Sequence, residues 1–260
     1  GHVRAKFVRQ HHGVVILLRV RGHVGPVIVA VVAAVFHERP VIAVAAGEVA
    51  LHERDALARG RAEDGLVRHL GVQAGEWLAE QLDGAEANIL VIEGSVGASA
   101  AIGRTEGFNQ VAAEHPEWKI LDSQSGDFTQ AGGQQVMESY LKSYPDQFNV
   151  VVCQNDNEAY GAIDAMKAAG VTYGVGGDVI LISFDATKQG LTLTLNGEIN
   201  CNVECNPLQA QGVADLIAKL EAGEEVPAVT YVPDSVFVAG GTESELGITM
   251  TQEVLDGRAY

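Results

Sequence analysis

The 260-residue chain predicts an α/β fold, a doubly wound parallel sheet covered by helices on both faces. Three observations carry this expectation. Short apolar runs alternate with amphipathic stretches at strand–helix spacing across residues 72–260. Polar and aromatic residues gather in the loops that follow the strands. A compositional break near Gly71 confines the pattern to the later part of the chain.

The elements follow in order. Val72–Leu82 reads as an amphipathic helix with Val72, Trp77, Leu78 and Leu82 apolar, closed by Asp83-Gly84. Ala87–Ile92 is a short apolar run, a buried strand, ending at Glu93-Gly94. Ala100–Glu114 predicts a helix stopped by His115-Pro116, because the residue before proline is driven out of the helical region. Trp118–Asp122 predicts a strand, Ala131–Ser143 a helix and Phe148–Cys153 a strand. Glu158–Ala169 predicts a helix capped by Gly170, and Asp178–Phe184 a strand. Helix Lys188–Asn196, strand Ile199–Val203, helix Leu208–Gly223 and strands near Thr230–Val232 and Val236–Val238 complete the series.

Residues 1–71 contain no Ser, Thr, Asn, Tyr, Cys, Met or Trp, whereas residues 72–260 hold nine Ser, ten Thr and nine Asn. Seven of the eight His and nine of the eleven Arg also fall before Gly71. Nearly all of these 71 residues belong to the amino acids whose codons can begin with G or C, as a shifted or antisense reading of a GC-rich gene would give. The segment is therefore expected to be anomalous, through a frameshift, antisense translation or a degenerate N-terminal lobe, with residues 72–260 forming the organised part. Val14–Val20 and Pro26–Phe36 taken alone read as buried strands, and Pro26–Phe36 is too short to span a membrane. The basic stretch before it and Ala43-Val44-Ala45 imitate a secretory signal. More than twenty residues precede that apolar core, so no credible signal peptide is expected. His11-His12 and the scattered His lack repeated ligand spacing, so no metal site is expected from them.

The net charge of −17 is the sum of +4 on residues 1–71 and −21 on residues 72–260. An acidic domain repels nucleic acid and anionic membrane, which favours small neutral ligands or basic protein patches. Cys153, Cys201 and Cys205 have no second ligand pair or neighbouring His, so they read as small buried residues rather than zinc ligands.

In doubly wound sheets ligands sit beyond the carboxyl ends of the strands. That rule selects Gly94–Ser99, Ser123–Thr129, Gln154–Asn157, Phe184–Thr187 and Glu204–Asn206. Gly94–Ser99 lacks both the Gly-Lys-Ser/Thr of a phosphate loop and the Gly-x-Gly-x-x-Gly of a dinucleotide site. Ser95 and Ser99 lack a nucleophile elbow, and His115 sits in a helix-ending turn, so no Ser-His-Asp triad is expected. Asp127, Asp156 and Asp185 could form an acid/base or metal cluster, but hydrogen bonding to a sugar explains the same residues more simply. No catalytic residue, metal or cofactor is expected.

Four stretches carry a specific resemblance: Ala100-Ala101-Ile102-Gly103-Arg104-Thr105-Glu106-Gly107-Phe108, Ser123-Gln124-Ser125-Gly126-Asp127-Phe128-Thr129, Gln154-Asn155-Asp156 and Ser183-Phe184-Asp185. Their order and spacing from about Gly75 to Tyr260 resemble the substrate-binding proteins of sugar ABC transporters, nearest the ribose and galactofuranose group. The resemblance implies two doubly wound lobes of the periplasmic-binding-protein type, joined by a three-strand hinge and closing on one sugar. It implies that Arg104 donates to sugar hydroxyls, that Asn155 and Asp185 grip adjacent hydroxyls, and that Phe128 packs on the sugar face. Glu204, counted with these as a ligand-binding residue, stands near the hinge position where ribose-type members carry glutamine, with the spacing to Pro207 differing by one residue. Without a sugar, Arg104 would read as a surface arginine, Phe128 as core and Asn155 as a helix N-cap.

The resemblance also exposes a departure. Family members have an N-terminal lobe that supplies aromatics, an asparagine and an Asp-Arg pair to the pocket. Residues 1–71 contain no Asn, no Trp and no Asp-Arg, so the N-terminal lobe is expected to be incomplete or replaced, and the pocket half formed. Helix Leu208–Gly223, which packs on that lobe in the family, would leave apolar surface exposed. The expected function is capture of a monosaccharide for a bacterial ABC importer, in the periplasm or at the cell surface. The expected protein is a monomer that meets the membrane only through the permease and binds no nucleic acid. The alternative is the sugar-sensing domain of a regulator related to the lactose repressor, which shares the fold.

Overall fold

A computed structural model of the chain describes the backbone of residues 4–10, 13–22, 25–33, 42–46, 53–227, 229–230 and 232–260, and side chains from residue 67 onward except at 228, 229 and 231. His11-His12 and the last three residues of the 26–36 run lie outside the described residues. The chain divides into two compact units, residues 1–63 with 206–233, and residues 64–205 with 234–260.

The first unit is an antiparallel sheet. Strands β1 (Arg4–Gln10), β2 (Gly13–Gly22), β3 (Gly25–Ala33) and β4 (Ile42–Ala46) follow in order, and β10 (Val229–Thr230) pairs with β4. The two apolar runs read as strands in the sequence fall on β2 and β3. The wholly antiparallel pairing differs from the parallel strand–helix lobe that the resemblance implies at this end of the chain. Helix α6 (Ala210–Glu221) also belongs to this unit, and Leu216 alone of its residues is buried.

The second unit is the doubly wound α/β layer structure expected from the sequence. Helix α1 (Glu53–Leu82) leads into it from residue 64 onward. The succeeding elements are β5 (Ala87–Glu93), α2 (Ser99–Ala112), β6 (Trp118–Ser125), α3 (Gln130–Ser143), β7 (Val150–Cys153) and α4 (Asp156–Ala169). Then come β8 (Ile180–Asp185), α5 (Lys188–Leu195), β9 (Cys201–Glu204), β11 (Val236–Val238), β12 (Ile248–Thr249) and α7 (Gln252–Asp256). The sheet order is β12-β11-β9-β8-β7-β5-β6, parallel except where β11 meets β9. Strands β6-β5-β7-β8-β9 thus follow the 2-1-3-4-5 order, whose switch point lies between β5 and β7.

The period-2 alternation of the apolar strands builds a core on each face. Ile89, Val91, Val150, Val152, Ile182 and Phe184 pack with Trp77 and Leu78 of α1 and Phe108 of α2. Leu90, Ile92, Val151 and Leu181 pack on the other face with Met137 and Tyr140 of α3 and Ile163 and Met166 of α4. Helix α1 begins well before Val72, and its buried face reaches back to Val67 and Leu70. It crosses α2 at close range: a Cβ on Gly71 would lie 2.2 Å from the Arg104 carbonyl oxygen, and one on Gly107 2.0 Å from that of Arg68. Side-chain caps start α3, α4, α5 and α7 at Thr129, Asn155, Thr187 and Thr251. Gly170 closes α4 in the left-handed conformation, as its sequence position predicts.

Candidate sugar-binding edge

Gln154 closes the switch point, its backbone amide donating to the Ile92 carbonyl at 2.9 Å and its side chain bonding across it. The Gly94 amide, just past β5, donates to Gln154 Oε1, just past β7, at 2.9 Å. Gln154 Nε2 in turn donates to the Ala101 carbonyl and to Thr105 Oγ1 at 2.6 Å, which fixes the first two turns of α2 against the sheet. This anchors Arg104 one residue before Thr105.

Arg104 is buried at 1% exposure, so it is not the surface arginine that composition alone would allow. Its Nη2 donates to Asp185 Oδ1 at 2.7 Å, its Nη1 donates to the Gln154 carbonyl, and its guanidinium lies 4.8 Å from the Phe184 ring centroid. A buried guanidinium needs a partner carboxylate and further acceptors, and Asp185 and the Gln154 carbonyl serve here. The Asp185 side chain is the more exposed member of the pair, at 16%. A small cavity of about 70 Å³ lies beside the pair, between α2 and the sheet, lined by Glu93, Thr105, Asn109, Ser123 and Gln154 among others.

Asn155 caps α4 by accepting from the Glu158 amide at 2.9 Å, while its Nδ2 donates to the Phe128 carbonyl at 3.2 Å. Phe128 occupies the third position of a tight turn, closed by the Thr129 amide donating to the Gly126 carbonyl at 3.1 Å. Its ring lies over Gly94, where a Cβ would stand 1.9 Å from Cζ, so residue 94 must be glycine for the ring to rest there. Phe128 is half-buried.

Glu204 stands at the end of β9 in register with Asp185 of β8. It is buried, and its carboxylate is taken up within its own unit. Oε2 accepts from the Ser235 amide at 2.8 Å, and Oε1 accepts from Arg258 Nη2 at 2.5 Å and from the Tyr260 hydroxyl. The Arg258 guanidinium stacks 4.8 Å from the Phe237 ring centroid and 4.4 Å from that of Tyr260.

The five residues singled out in the sequence therefore lie along one edge of the sheet, with Arg104 bonded to Asp185 and Asn155 to Phe128. Sequence reasoning missed Gln154 as the bridge across the switch point, and Arg258 and Tyr260 as partners of Glu204. It weighed Asp156 only with Asp127 and Asp185 as a possible acid/base, metal or sugar-binding set and missed Glu158; both are buried carboxylates in the first turn of α4. Burial, reinforced by the charge of Asp185, pushes the Asp156 carboxyl up to about 6, against hydrogen bonds from Thr187 and Ser183. Burial pushes Glu158 up to about 8, opposed chiefly by the Phe128 amide and the Arg104 charge. Among the described residues no group of three or more His, Cys, Asp or Glu is placed to hold a metal ion, and no helix is long and apolar enough to cross a membrane.

A two-faced α/β layer with polar loops gathered at its switch point defines a ligand-binding lobe. The chain belongs to the periplasmic binding protein domain family, whose model matches residues 68–225. It is 34% identical over 174 residues to the galactofuranose-binding protein YtfQ of Escherichia coli K12, covering 64% of this chain and 54% of that one. It is 36% identical over 162 residues to the ribose import binding protein RbsB of the same organism, covering 61% and 51%. A Mycobacterium smegmatis structure in complex with β-D-fucofuranose matches with a TM-score of 0.62 and 41% identity, over 68% of this chain and 58% of that one. The arabinose ABC transporter binding protein of Shewanella sp. ANA-3, bound to arabinofuranose, matches at 0.61 and 35%, over 66% and 57%. The chain spans about half the length of the curated relatives it matches. These relatives are sugar-binding transport proteins rather than enzymes.

Proposed function

We propose that this chain is the sugar-binding component of a bacterial ABC importer, taking one monosaccharide at the edge formed by Arg104, Phe128, Asn155 and Asp185. The buried Arg104–Asp185 pair carries this reading. A guanidinium and a carboxylate side by side offer donors and acceptors to neighbouring hydroxyls, while an aromatic ring such as Phe128 covers the apolar face of a sugar. Relatives whose names include galactofuranose and ribose support the ligand class, and a hinge between two lobes would close on the sugar. Delivery to a permease, a periplasmic or cell-surface location and a monomeric state belong to the same proposal. Glu204, held by Arg258, Tyr260 and Ser235, would act by fixing the hinge strands rather than by touching the sugar.

Residues 1–63, the larger part of the 1–71 stretch that composition sets apart, enter the proposal as a segment foreign to this lobe, whereas α1 packs into the lobe from Val67 onward. Its composition and the start of the family match at residue 68 support that reading. Resequencing the locus through Gly71 tests it, and a continuous, codon-normal frame would count against it. Calorimetric titration of the purified chain with L-arabinose, D-galactose and D-ribose tests the sugar site. Binding of one of them, lost in Asp185→Ala with the fold intact, is expected. Absence of heat with all of them would point to a chain that lacks a working pocket.

A further inference from the structure

Two loops of the proposed sugar edge each hold consecutive non-glycine residues in the left-handed region. Asp127 and Phe128 both have φ of 56°, while Asp185 and Ala186 have φ of 96° and 51°. Side chains with a Cβ rarely stay there unless the surrounding structure holds them. The holding groups come from the first turn of α4.

Glu158 Oε1 accepts from the Phe128 amide at 2.9 Å, while Asn155 holds the carbonyl of the same residue. Asp156 Oδ2 accepts from the Thr187 amide at 2.8 Å and from its hydroxyl at 2.7 Å. Asp156 Oδ1 accepts from the Ser183 hydroxyl and from Asn202 Nδ2, each at 2.7 Å. Asn202 then accepts from the Ala186 amide at 3.0 Å. Both carboxylates are at most 1% exposed, a placement that disfavours the charged form unless the bonds it makes are needed. Nearby glycines leave room for them. A Cβ on Gly190 would strike the Asp156 carboxylate at 2.2 Å, and one on Gly126 would come within 2.9 Å of Glu158 Oε1.

We propose that Asp156 and Glu158 are positioning residues that fix the two left-handed turns, so that Asp185 and Phe128 stand in binding geometry before a ligand arrives. Such pre-organisation removes an ordering penalty at the moment of binding. Its purpose rests on the sugar-binding reading; its geometry does not.

The test uses the full chain, with amide hydrogen exchange and proton shifts read by NMR. In Glu158→Met the Phe128 amide should exchange about tenfold faster, as for loss of one buried hydrogen bond. The ring-current shift of Phe128 on the Gly94 protons should shrink. Glu158→Gln, which keeps an acceptor oxygen, should retain both signals. Asp156→Ala should release the Ala186 and Thr187 amides in the same way. Asn202→Ala leaves both carboxylates in place and should release Ala186 alone. In parallel titrations with L-arabinose, D-galactose and D-ribose, Glu158→Met should bind about tenfold more weakly than Glu158→Gln. If the wild-type chain binds none of these sugars, the sugar reading fails while the exchange data still decide the positioning role. Unchanged exchange at Phe128, Ala186 and Thr187 would overturn it. So would equal losses in Glu158→Met and Glu158→Gln, which would mark Glu158 as a general prop of the helix packing.

Discussion

Arg104 Nη2 and Asp185 Oδ1 stand 2.7 Å apart, joining α2 to the end of β8 across 81 residues of sequence. The pair links the two halves of the doubly wound layer at the edge where a ligand would sit. Removing the cation leaves a largely buried carboxylate and the Gln154 carbonyl without their donors. Arg104→Met should therefore destabilise the fold by about 2–3 kcal/mol, at or just below the low end of the range for a broken buried pair because Asp185 keeps some solvent. Arg104→Lys should recover only part of this, since a single ammonium does not reach both acceptors as a guanidinium does. Urea denaturation of the two variants measures the difference.

The crossing of α1 and α2 makes a second expectation. Gly71→Ala and Gly107→Ala each press a methyl group onto the carbonyl of the facing helix. Each should cost about 1–3 kcal/mol, and the double variant less than the sum, because one shift of the helices relieves both contacts. Gly212→Ala in α6 should go the other way by about 0.5–1 kcal/mol, since nothing lies within 4 Å of its added Cβ. Thermal denaturation of the variants distinguishes the signs.

The pH dependence of stability should run against ordinary acid denaturation. A carboxylate whose folded-state pKa is raised binds more protons folded than unfolded, so its contribution to stability is present at low pH and is lost as pH rises. For Asp156 the loss extends from the unfolded value of 3.8 through about 6, and for Glu158 from 4.5 through about 8. Glu158→Gln should remove most of the decline between about pH 6 and 8. Urea midpoints across that interval check this, and identical slopes in variant and wild type would refute it.

The C-terminal segment should depend on Glu204. Arg258→Ala removes a donor from a buried carboxylate and a cation from between the Phe237 and Tyr260 rings. Limited proteolysis should then cut between α7 and Tyr260 at lower protease concentrations than in the wild type, with cleavage elsewhere unchanged. Tyr260→Phe, which keeps the ring but loses the hydroxyl bond, should show a smaller effect of about 1 kcal/mol.

Much of the second unit was legible because its strands are short apolar runs bounded by turn residues. Val236–Val238 coincides with β11, while Ala87–Ile92 and Ala131–Ser143 fall one residue short of β5 and α3. Strand β6 runs three residues beyond the expected Asp122, because an edge strand continues through polar residues that carry no hydrophobic signal. Short β12 and α7 were missed. They are fixed by tertiary burial of Met250 and Leu255 rather than by local periodicity. At the site, motif order and the family resemblance brought Arg104 and Asp185 together in expectation. The engagement of Asn155 by Phe128, and of Glu204 by Arg258 and Tyr260, was not legible. Those bonds join residues 27 to 56 positions apart and leave no mark on any local window of sequence.

Strand β6 also bears on how copies of this protein meet. Among the described residues it ends the seven-stranded sheet, and an unpaired edge strand of eight residues is a ready template for another chain. From Lys119 to Ser125 it presents Lys119, Asp122, Ser123, Gln124 and Ser125, with Ile120 and Leu121 its two apolar side chains. A second sheet approaching to extend the ladder would have to strip water from that polar row. That desolvation cost counts against pairing through β6.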